Sequence, residues 1–222
     1  MLVDGRGCWL SCWQGRDIVP GAPALFLDRD NVLLADPGYL HRPSQAVLLE
    51  GAADVITWAN THSIPAIVVT NQSGIARGLY GWDDFHAINH RMQELLGAAG
   101  ASVDALVACA WHEDGLEHLR CIDHPWRKPQ PGMILAAANA YGCDTSNSWM
   151  VGDRQTDMQA AENAGLRGGI WIGGEIEGEH LWPTGDPDSF AVVTAQSMTD
   201  VVPILSGSFQ IADDLRSNAD AL

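Results

Sequence analysis

Ala24-Leu-Phe-Leu-Asp-Arg-Asp30 is a run of four apolar residues that passes directly into two carboxylates one residue apart. An unbroken apolar run is typical of a strand buried on both faces, as in a parallel sheet. Similar runs are found at 64–70, 105–110, 148–151 and 169–172. Between them, apolar residues have helical spacing at 51–62, 83–97, 131–141 and 156–164. This alternation predicts an α/β protein, a Rossmann-like three-layer α/β/α sandwich with a parallel central sheet.

The length of the chain suits a single domain of 222 residues. We expect a core at about 22–205, an N-terminal extension at 1–21 and a polar C-terminal tail at 206–222. The segment 31–50 is too long for a simple turn and predicts a small flap. The prediction is therefore a domain with a minimal cap.

Composition argues against several classes of partner. Lys and Arg number 12 against 28 Asp and Glu, a net charge of −16, which disfavours nucleic acid and anionic membranes. Residues 1–21 contain no long apolar run, and the five cysteines are an odd number. We therefore expect a protein of the reducing cytoplasm, with neither a signal peptide nor a disulfide framework.

Polar side chains follow three of the predicted strands, at the point where each strand ends. They are Asp28 and Asp30, then Thr70 and Asn71, and finally Asp153. The carboxyl ends of parallel strands share one edge of a sheet, so these side chains should lie close together. Carboxylates from separate strands suit a hard cation such as Mg²⁺, which together with Lys128 would attract a phosphoryl group.

Four motifs carry a resemblance to a known family. Asp28-Arg-Asp30, Thr70-Asn-Gln-Ser-Gly74, Arg127-Lys-Pro129 and Gly152-Asp-Arg-Gln-Thr-Asp157 resemble, in order, the motifs of the haloacid dehalogenase (HAD) superfamily of phosphatases. Gly38-Tyr-Leu-His41 and the segments 68–78, 127–133 and 150–161 are similar to its histidinol-phosphate and heptose-bisphosphate branch. The resemblance covers roughly residues 24–172 and implies a HAD-like fold and a small phosphorylated metabolite as substrate.

The resemblance implies a catalytic role for several acids. Asp28 would be the nucleophile that forms an aspartyl-phosphate, and Asp30 the general acid and then the general base. Magnesium would be held by the carboxylates of Asp28 and Asp153 and by the main-chain carbonyl of Asp30. Asp157 would orient this group. Asn31 stands where relatives usually have Gly, and its tolerance of positive φ would keep the turn.

The resemblance also implies how phosphate is bound. Thr70 and the amides around Asn71 would contact phosphate oxygens, and Lys128 would balance the charge. Arg127 is our candidate for recognising a second, distal phosphate. The leading substrate is a heptose bisphosphate. Histidinol phosphate, another sugar phosphate, or a HAD-like domain that binds without catalysis remain alternatives.

The loop before Arg127 departs from the family pattern. Relatives carry Cys-x-His and Cys-x-Cys pairs that bind zinc, whereas Trp111 and Trp126 occupy two of those positions here. Two C-x-x-H pairs remain that suit tetrahedral zinc: Cys109, His112, Cys121 and His124. Two alternatives follow, a structural Zn²⁺ on this shifted set or a zinc-free loop held by tryptophan packing.

Overall fold

The computed structural model describes residues 1–13, 18–173 and 190–208. Its strands are β1 (Cys8–Cys12), β2 (Leu25–Leu27), β3 (Ala66–Asn71), β4 (Ala105–Cys109), β5 (Trp149–Gly152), β6 (Gly168–Ile172) and β7 (Ala191–Ala195). They form one sheet in the order β1-β4-β3-β2-β5-β6-β7. Strand β1 is antiparallel to its neighbour and the other pairs are parallel.

Helices cover both faces of this sheet. They are α1 (Ala52–Thr61), α2 (Ser73–Ala76), α3 (Trp82–Ala98), α4 (Gly132–Tyr141), α5 (Gln155–Asn163) and α6 (Val201–Ser208). Leu25 and Leu27 point into the core formed with α1, α3 and α6, while Phe26 points into the core formed with α4 and α5. Side chains alternate across a strand, so an unbroken apolar run in β2 supplies both cores. The predicted three-layer sandwich is confirmed.

The N-terminal residues contribute more than the predicted extension. Strand β1 pairs with β4 at the edge of the sheet, with Cys8 opposite Cys109. The amide of Ala110 donates to the carbonyl of Gly7 at 2.7 Å. Strand β7 and helices α2 and α6, which are short, had no counterpart among the predicted elements. Of the predicted tail, residues 206–208 end α6 and residues 209–222 lie outside the described residues.

The flap predicted at 31–50 folds back onto the core. Leu33, Leu34 and Leu40 are buried, and Leu34 makes β-bridges to Asp30 and Leu48.

Strand β2 lies at the centre of the sheet between β3 and β5, where the direction of strand order reverses. A crevice outside the carboxyl ends of the strands is expected at this point. Across the described ranges, no helix is long and apolar enough to cross a membrane.

Candidate active site

A cavity of about 580 Å³ opens at the carboxyl end of β2. Its walls combine acidic side chains with several cations and two tyrosines. Of the predicted site residues, Asp28, Asp30, Asn71, Arg127 and Lys128 line it. The tertiary structure therefore brings to one place residues that are separated by up to 100 positions in the chain.

Lys128 is the buried centre of the site. Its Nζ lies 2.8 Å from Oδ1 of Asp28, 2.6 Å from Oδ1 of Asp157 and 2.9 Å from the carbonyl oxygen of Val69. Burial alone lowers the pKa of Lys128, but the two carboxylates outweigh it and hold the pKa above its usual value. The side chain is therefore a fixed positive charge beside the predicted nucleophile.

Three carboxylates form a cluster that could hold a cation. Asp28, Asp153 and Asp157 each offer an oxygen within 4.8 Å of the others. Oδ1 of Asp153 is buried and has no hydrogen-bond partner among the described residues. Burial, together with Asp28 and Asp157, raises the pKa of Asp153 to about 6. Converging carboxylates and a buried orphan oxygen fit a hard divalent cation such as Mg²⁺.

Asp157 is engaged through both of its oxygens. Besides its ion pair with Lys128, it accepts a hydrogen bond through Oδ2 from the amide of Arg154 at 3.0 Å. This contact caps the N-terminus of α5. The arrangement suits a residue that orients the site, as the sequence suggested, more than a direct metal ligand.

Asn31 takes the left-handed conformation that a glycine would supply. Its φ is 60°, within the region that Asn tolerates. Its Oδ1 accepts from the amide of Asp36 at 3.3 Å. The Asn31 side chain acts to lower the pKa of Asp153, although burial and the neighbouring acids outweigh this effect. The turn after β2 is thus preserved, and the extra side chain supports an acid of the cluster.

Asn71 and Thr70 end β3 beside Lys128. Asn71 donates to the carbonyl oxygen of Lys128 at 3.0 Å and accepts from its amide at 3.1 Å. The buried hydroxyl of Thr70 accepts from Gln72 at 2.9 Å. The side chain of Asn71 therefore positions Lys128, a contact that its predicted role in phosphate binding did not include.

A group of cations lies along one wall. Burial lowers the pKa of Arg127, and Arg77 and Arg154 add to this effect, although Cys109 opposes it. Arg127 and Arg154 both line the cavity. Repulsion among cations is relieved by an anion, so this wall suits a phosphate. Arg154 was missed in the sequence, although it directly follows Asp153 in the fourth motif.

The predicted zinc set is wrong for two of its four members. The ring nitrogens of His112 are engaged elsewhere: Nδ1 accepts from the amide of Asp114 at 3.0 Å, and Nε2 lies 3.3 Å from Arg77. Cys121 contacts the carbonyl oxygen of Ile122 at 3.4 Å. Neither belongs to a cluster of three ligating residues in the described part of the chain.

The other two members lie beside a cysteine that the sequence did not indicate. Cys8, Cys109 and His124 offer ligating atoms that all lie within 4.8 Å of one another. Strand β1 brings Cys8 against β4, and His124 stacks on Trp111 with ring centroids 5.1 Å apart. The neighbouring Cys8 and His124 lower the pKa of Cys109 against the effect of burial. Two thiols and an imidazole that converge in this way suit a soft cation.

The sequence of this chain is similar to a family model and to phosphatases of several bacteria. A family model described as HAD-hydrolase-like matches residues 125–195. A D-glycero-beta-D-manno-heptose-1,7-bisphosphate 7-phosphatase of Mesorhizobium japonicum is 46% identical over 169 residues, 76% of this chain and 78% of that protein. A D-glycero-alpha-D-manno-heptose-1,7-bisphosphate 7-phosphatase of Burkholderia mallei is 36% identical and covers 83% of this chain and 94% of its own length.

Two solved structures resemble this fold along most of their length. A HAD-like phosphatase from Mesorhizobium loti has a TM-score of 0.86 and 39% identity, covering 94% of this chain and 96% of that one. A D,D-heptose 1,7-bisphosphate phosphatase from B. bronchiseptica, solved with magnesium and phosphate, has a TM-score of 0.68 and 26% identity. That match covers 83% of this chain and 98% of the other.

Proposed function

The chain belongs to the HAD superfamily of phosphatases, in its heptose-bisphosphate branch, and we propose that it removes the 7-phosphate of D-glycero-D-manno-heptose 1,7-bisphosphate. Relatives that are 46% and 36% identical to it over the aligned residues are named for this reaction. Its activity as a phosphatase follows from that membership. The substrate, the magnesium requirement and the residue roles below are parts of the proposal.

The arrangement around Lys128 carries the proposal. A buried cation lies between Asp28 and Asp157, next to a third acid, Asp153, with an orphan buried oxygen. Such a cluster is unstable by itself and becomes favourable when a divalent cation and a phosphate are added. Asp28 and Asp153 would hold Mg²⁺ through carboxylates and Asp30 through its carbonyl. When bound, the cation would neutralise charge on the transferring phosphoryl group.

The reaction would proceed in two displacements. A carboxylate oxygen of Asp28 attacks phosphorus, the bond to the sugar oxygen breaks, and Asp30 donates a proton to that oxygen. Water then attacks the aspartyl-phosphate, Asp30 takes its proton, and Asp28 is released together with inorganic phosphate. Lys128 stays protonated throughout because its ion pairs raise its pKa.

A bisphosphate also requires a site for the phosphate that does not react. Arg127 lines the cavity next to Lys128, and its donors form a planar fork that suits phosphate. Arg154 lines the same cavity and adds positive charge. We assign the distal phosphate to Arg127, because it lies near other cations and, among the described residues, its guanidinium donates to the carbonyl oxygen of Trp111 and not to a carboxylate.

The cofactor proposal includes a second metal site of a different kind. Zinc, when present, would be held by Cys8, Cys109 and His124, because these donors converge and two of them are soft thiols. Elemental analysis of protein purified in added zinc should find metal in the wild type and much less in Cys8→Ser. Cys121→Ser is the matched control, since Cys121 lies outside the cluster, and equal zinc in all three proteins would reject this ligand set.

The experiment that tests the function is a phosphatase assay of the purified protein with magnesium and a panel of phosphorylated metabolites. We expect heptose 1,7-bisphosphate to give the highest kcat/KM. A kcat/KM for histidinol phosphate that is tenfold or more higher, about 1.4 kcal/mol in transition-state stabilisation, would contradict the substrate assignment. Hydrolysis of no panel member would instead favour a domain that binds without catalysis.

A further inference from the structure

Asp30 is held by two side chains that the four motifs leave without a role. We propose that Gln72 and Arg29 are positioning residues that fix the carboxyl group of Asp30 for proton transfer. This inference rests on the proposed function, in which Asp30 is the acid and the base. It adds two residues to the machinery and explains why a large cation is buried behind the cavity.

Arg29 donates hydrogen bonds to both carboxylate oxygens of Asp30. Its Nε donates to Oδ1 at 2.9 Å and its terminal nitrogen donates to Oδ2 at 3.0 Å. The side chain of Arg29 is only 1% exposed, against 21% for Asp30. The guanidinium lies 5.4 Å from the ring centroid of Phe85, and it donates to Asn89 at 3.5 Å. The fork therefore comes from the core side and leaves the opposite side of the carboxyl group toward the cavity.

Gln72 joins the same carboxyl group to the predicted phosphate site. Its Nε2 donates to Oδ2 of Asp30 at 2.9 Å and to the hydroxyl of Thr70 at 2.9 Å. Its Oε1 accepts from Arg29 at 3.1 Å and from the hydroxyl of Tyr80 at 2.7 Å. An amide has two N–H donors and two acceptor positions, so all four are used.

The complete use of this amide defines its orientation. If Gln72 flipped, its carbonyl oxygen would face the carboxylate of Asp30 and its NH₂ would face the guanidinium of Arg29, and both contacts would be repulsive. Tyr80 and Arg29 thus hold Gln72, and Gln72 together with Arg29 holds Asp30. A network whose members are all satisfied is rigid, which is what an oriented acid requires.

A purely structural role would not need these connections. A buried ion pair contributes little to stability compared with apolar residues of similar volume. Here the network ends on two residues of the reaction site, Asp30 and Thr70, and it lines the cavity through Gln72 and Tyr80. These contacts therefore fix the position of the Asp30 carboxyl group, in addition to any effect on stability.

The role of Gln72 and Arg29 is tested by comparing the loss of kcat/KM on two substrates whose leaving groups differ. A sugar alkoxide leaves only when it is protonated, whereas p-nitrophenolate leaves without an acid. Gln72→Leu keeps the approximate volume and removes the hydrogen bonds. We expect its kcat/KM to fall roughly 100-fold for heptose bisphosphate, in the range assigned to a general acid, and less than about fivefold for p-nitrophenyl phosphate. Because kcat/KM covers steps only up to release of the leaving group, later hydrolysis of the aspartyl-phosphate does not affect it.

Three further variants complete the experiment. Asp30→Asn should show the same selective loss, to a greater extent, and Arg29→Lys should show it because lysine keeps the charge but lacks the fork. Tyr80→Phe should show a smaller selective loss, and it serves if Gln72→Leu fails to fold by circular dichroism. Equal losses on both substrates, or no loss on either, would overturn the inference. Absence of phosphatase activity in the wild-type protein would instead contradict the proposed function.

Discussion

At the scale of single residues, the site is a balance of opposite charges that is incomplete in the protein alone. The single positive charge of Lys128 is shared between Asp28 and Asp157, and a third acid, Asp153, has a buried oxygen without a hydrogen-bond partner in the described ranges. Replacing any one of these residues therefore changes the charge available to metal and phosphate.

Replacing the nucleophile should separate chemistry from folding. Asp28→Asn should lower kcat by at least about 10³-fold, because an amide cannot form the acyl-phosphate. The fold should persist, since the carboxamide has nearly the same shape and its oxygen still accepts from Lys128. Steady-state kinetics in magnesium and circular dichroism measure the two effects. Activity of this variant close to that of the wild type would refute the mechanism.

Removal of Arg127 should alter selectivity. Arg127→Ala should lower kcat/KM for heptose 1,7-bisphosphate by about 10- to 100-fold, the range expected for a charged hydrogen-bond partner of a phosphate. The loss for p-nitrophenyl phosphate should be much smaller, since that substrate has no distal phosphate. Arg91→Ala is the control, because Arg91 is an exposed residue paired with Glu94 on α3. Parallel losses on both substrates would contradict the assignment to the distal phosphate.

At the scale of secondary-structure elements, β1 is attached by aromatic contacts as well as by backbone pairing. Trp9 stacks on Trp82 with centroids 5.4 Å apart and meets Phe85 edge-on at 6.1 Å. Both partners lie on α3, which also carries Asn89 beneath Arg29. The N-terminal strand therefore closes the edge of the sheet and covers the helix behind the active site.

Loss of this aromatic contact should weaken the whole domain. Trp9→Ala should lower the free energy of unfolding by about 2 kcal/mol, less than at a fully buried tryptophan because Trp9 is partly exposed. Urea unfolding followed by circular dichroism measures this difference. Val47→Ala is the control, since Val47 is 58% exposed and should change stability by less than about 0.5 kcal/mol. Equal stability of the two variants would show that the aromatic contacts of Trp9 add nothing to the stability of the domain.

At the scale of the whole molecule, function has to be reconciled with a net charge of −16. The average field repels an anionic substrate, but the field inside the cavity is dominated by nearby groups. Lys128, Arg127 and Arg154 line that cavity. A bound divalent cation would reduce the remaining negative charge, which couples metal binding to the stability of the fold.

Magnesium should stabilise the protein in a pH-dependent way. The pKa of Asp153 is raised from 3.8 to about 6 in the metal-free fold, so the folded state binds a proton that the unfolded state releases. This contribution to stability is lost as pH rises from about 4 through 6. Magnesium replaces that proton, so its gain in Tm should be larger at about pH 7 than at about pH 5.

Thermal unfolding with and without magnesium, at constant ionic strength, measures this gain. Asp153→Asn should lose most of it, because the amide carries no charge for the cation to neutralise. Chelation should also remove activity that added magnesium restores. A gain in Tm that is independent of pH, or unchanged in Asp153→Asn, would argue that the metal binds elsewhere.

The amino-acid pattern was enough to predict the central sheet and the acids at its edge. A strand such as β2 that is buried on both faces requires apolar residues at every position, and parallel strands deliver their following residues to one edge. Asp28, Asp30, Asn71 and Lys128 could therefore be predicted to lie together from the sequence. Local spacing was sufficient because each of them follows directly on a strand or precedes a helix.

Which distant segments meet at the edges of this site depends on the packing of the whole chain. Strand β1 brings Cys8 against Cys109, about a hundred residues later in the chain, so that the cluster with His124 contains Cys8 and neither His112 nor Cys121. Packing of the whole chain also buries Arg29 and directs its guanidinium onto the carboxyl group of Asp30. Pairing at a sheet edge and the orientation of a buried side chain depend on packing between segments far apart, and local sequence patterns carry no signal for either.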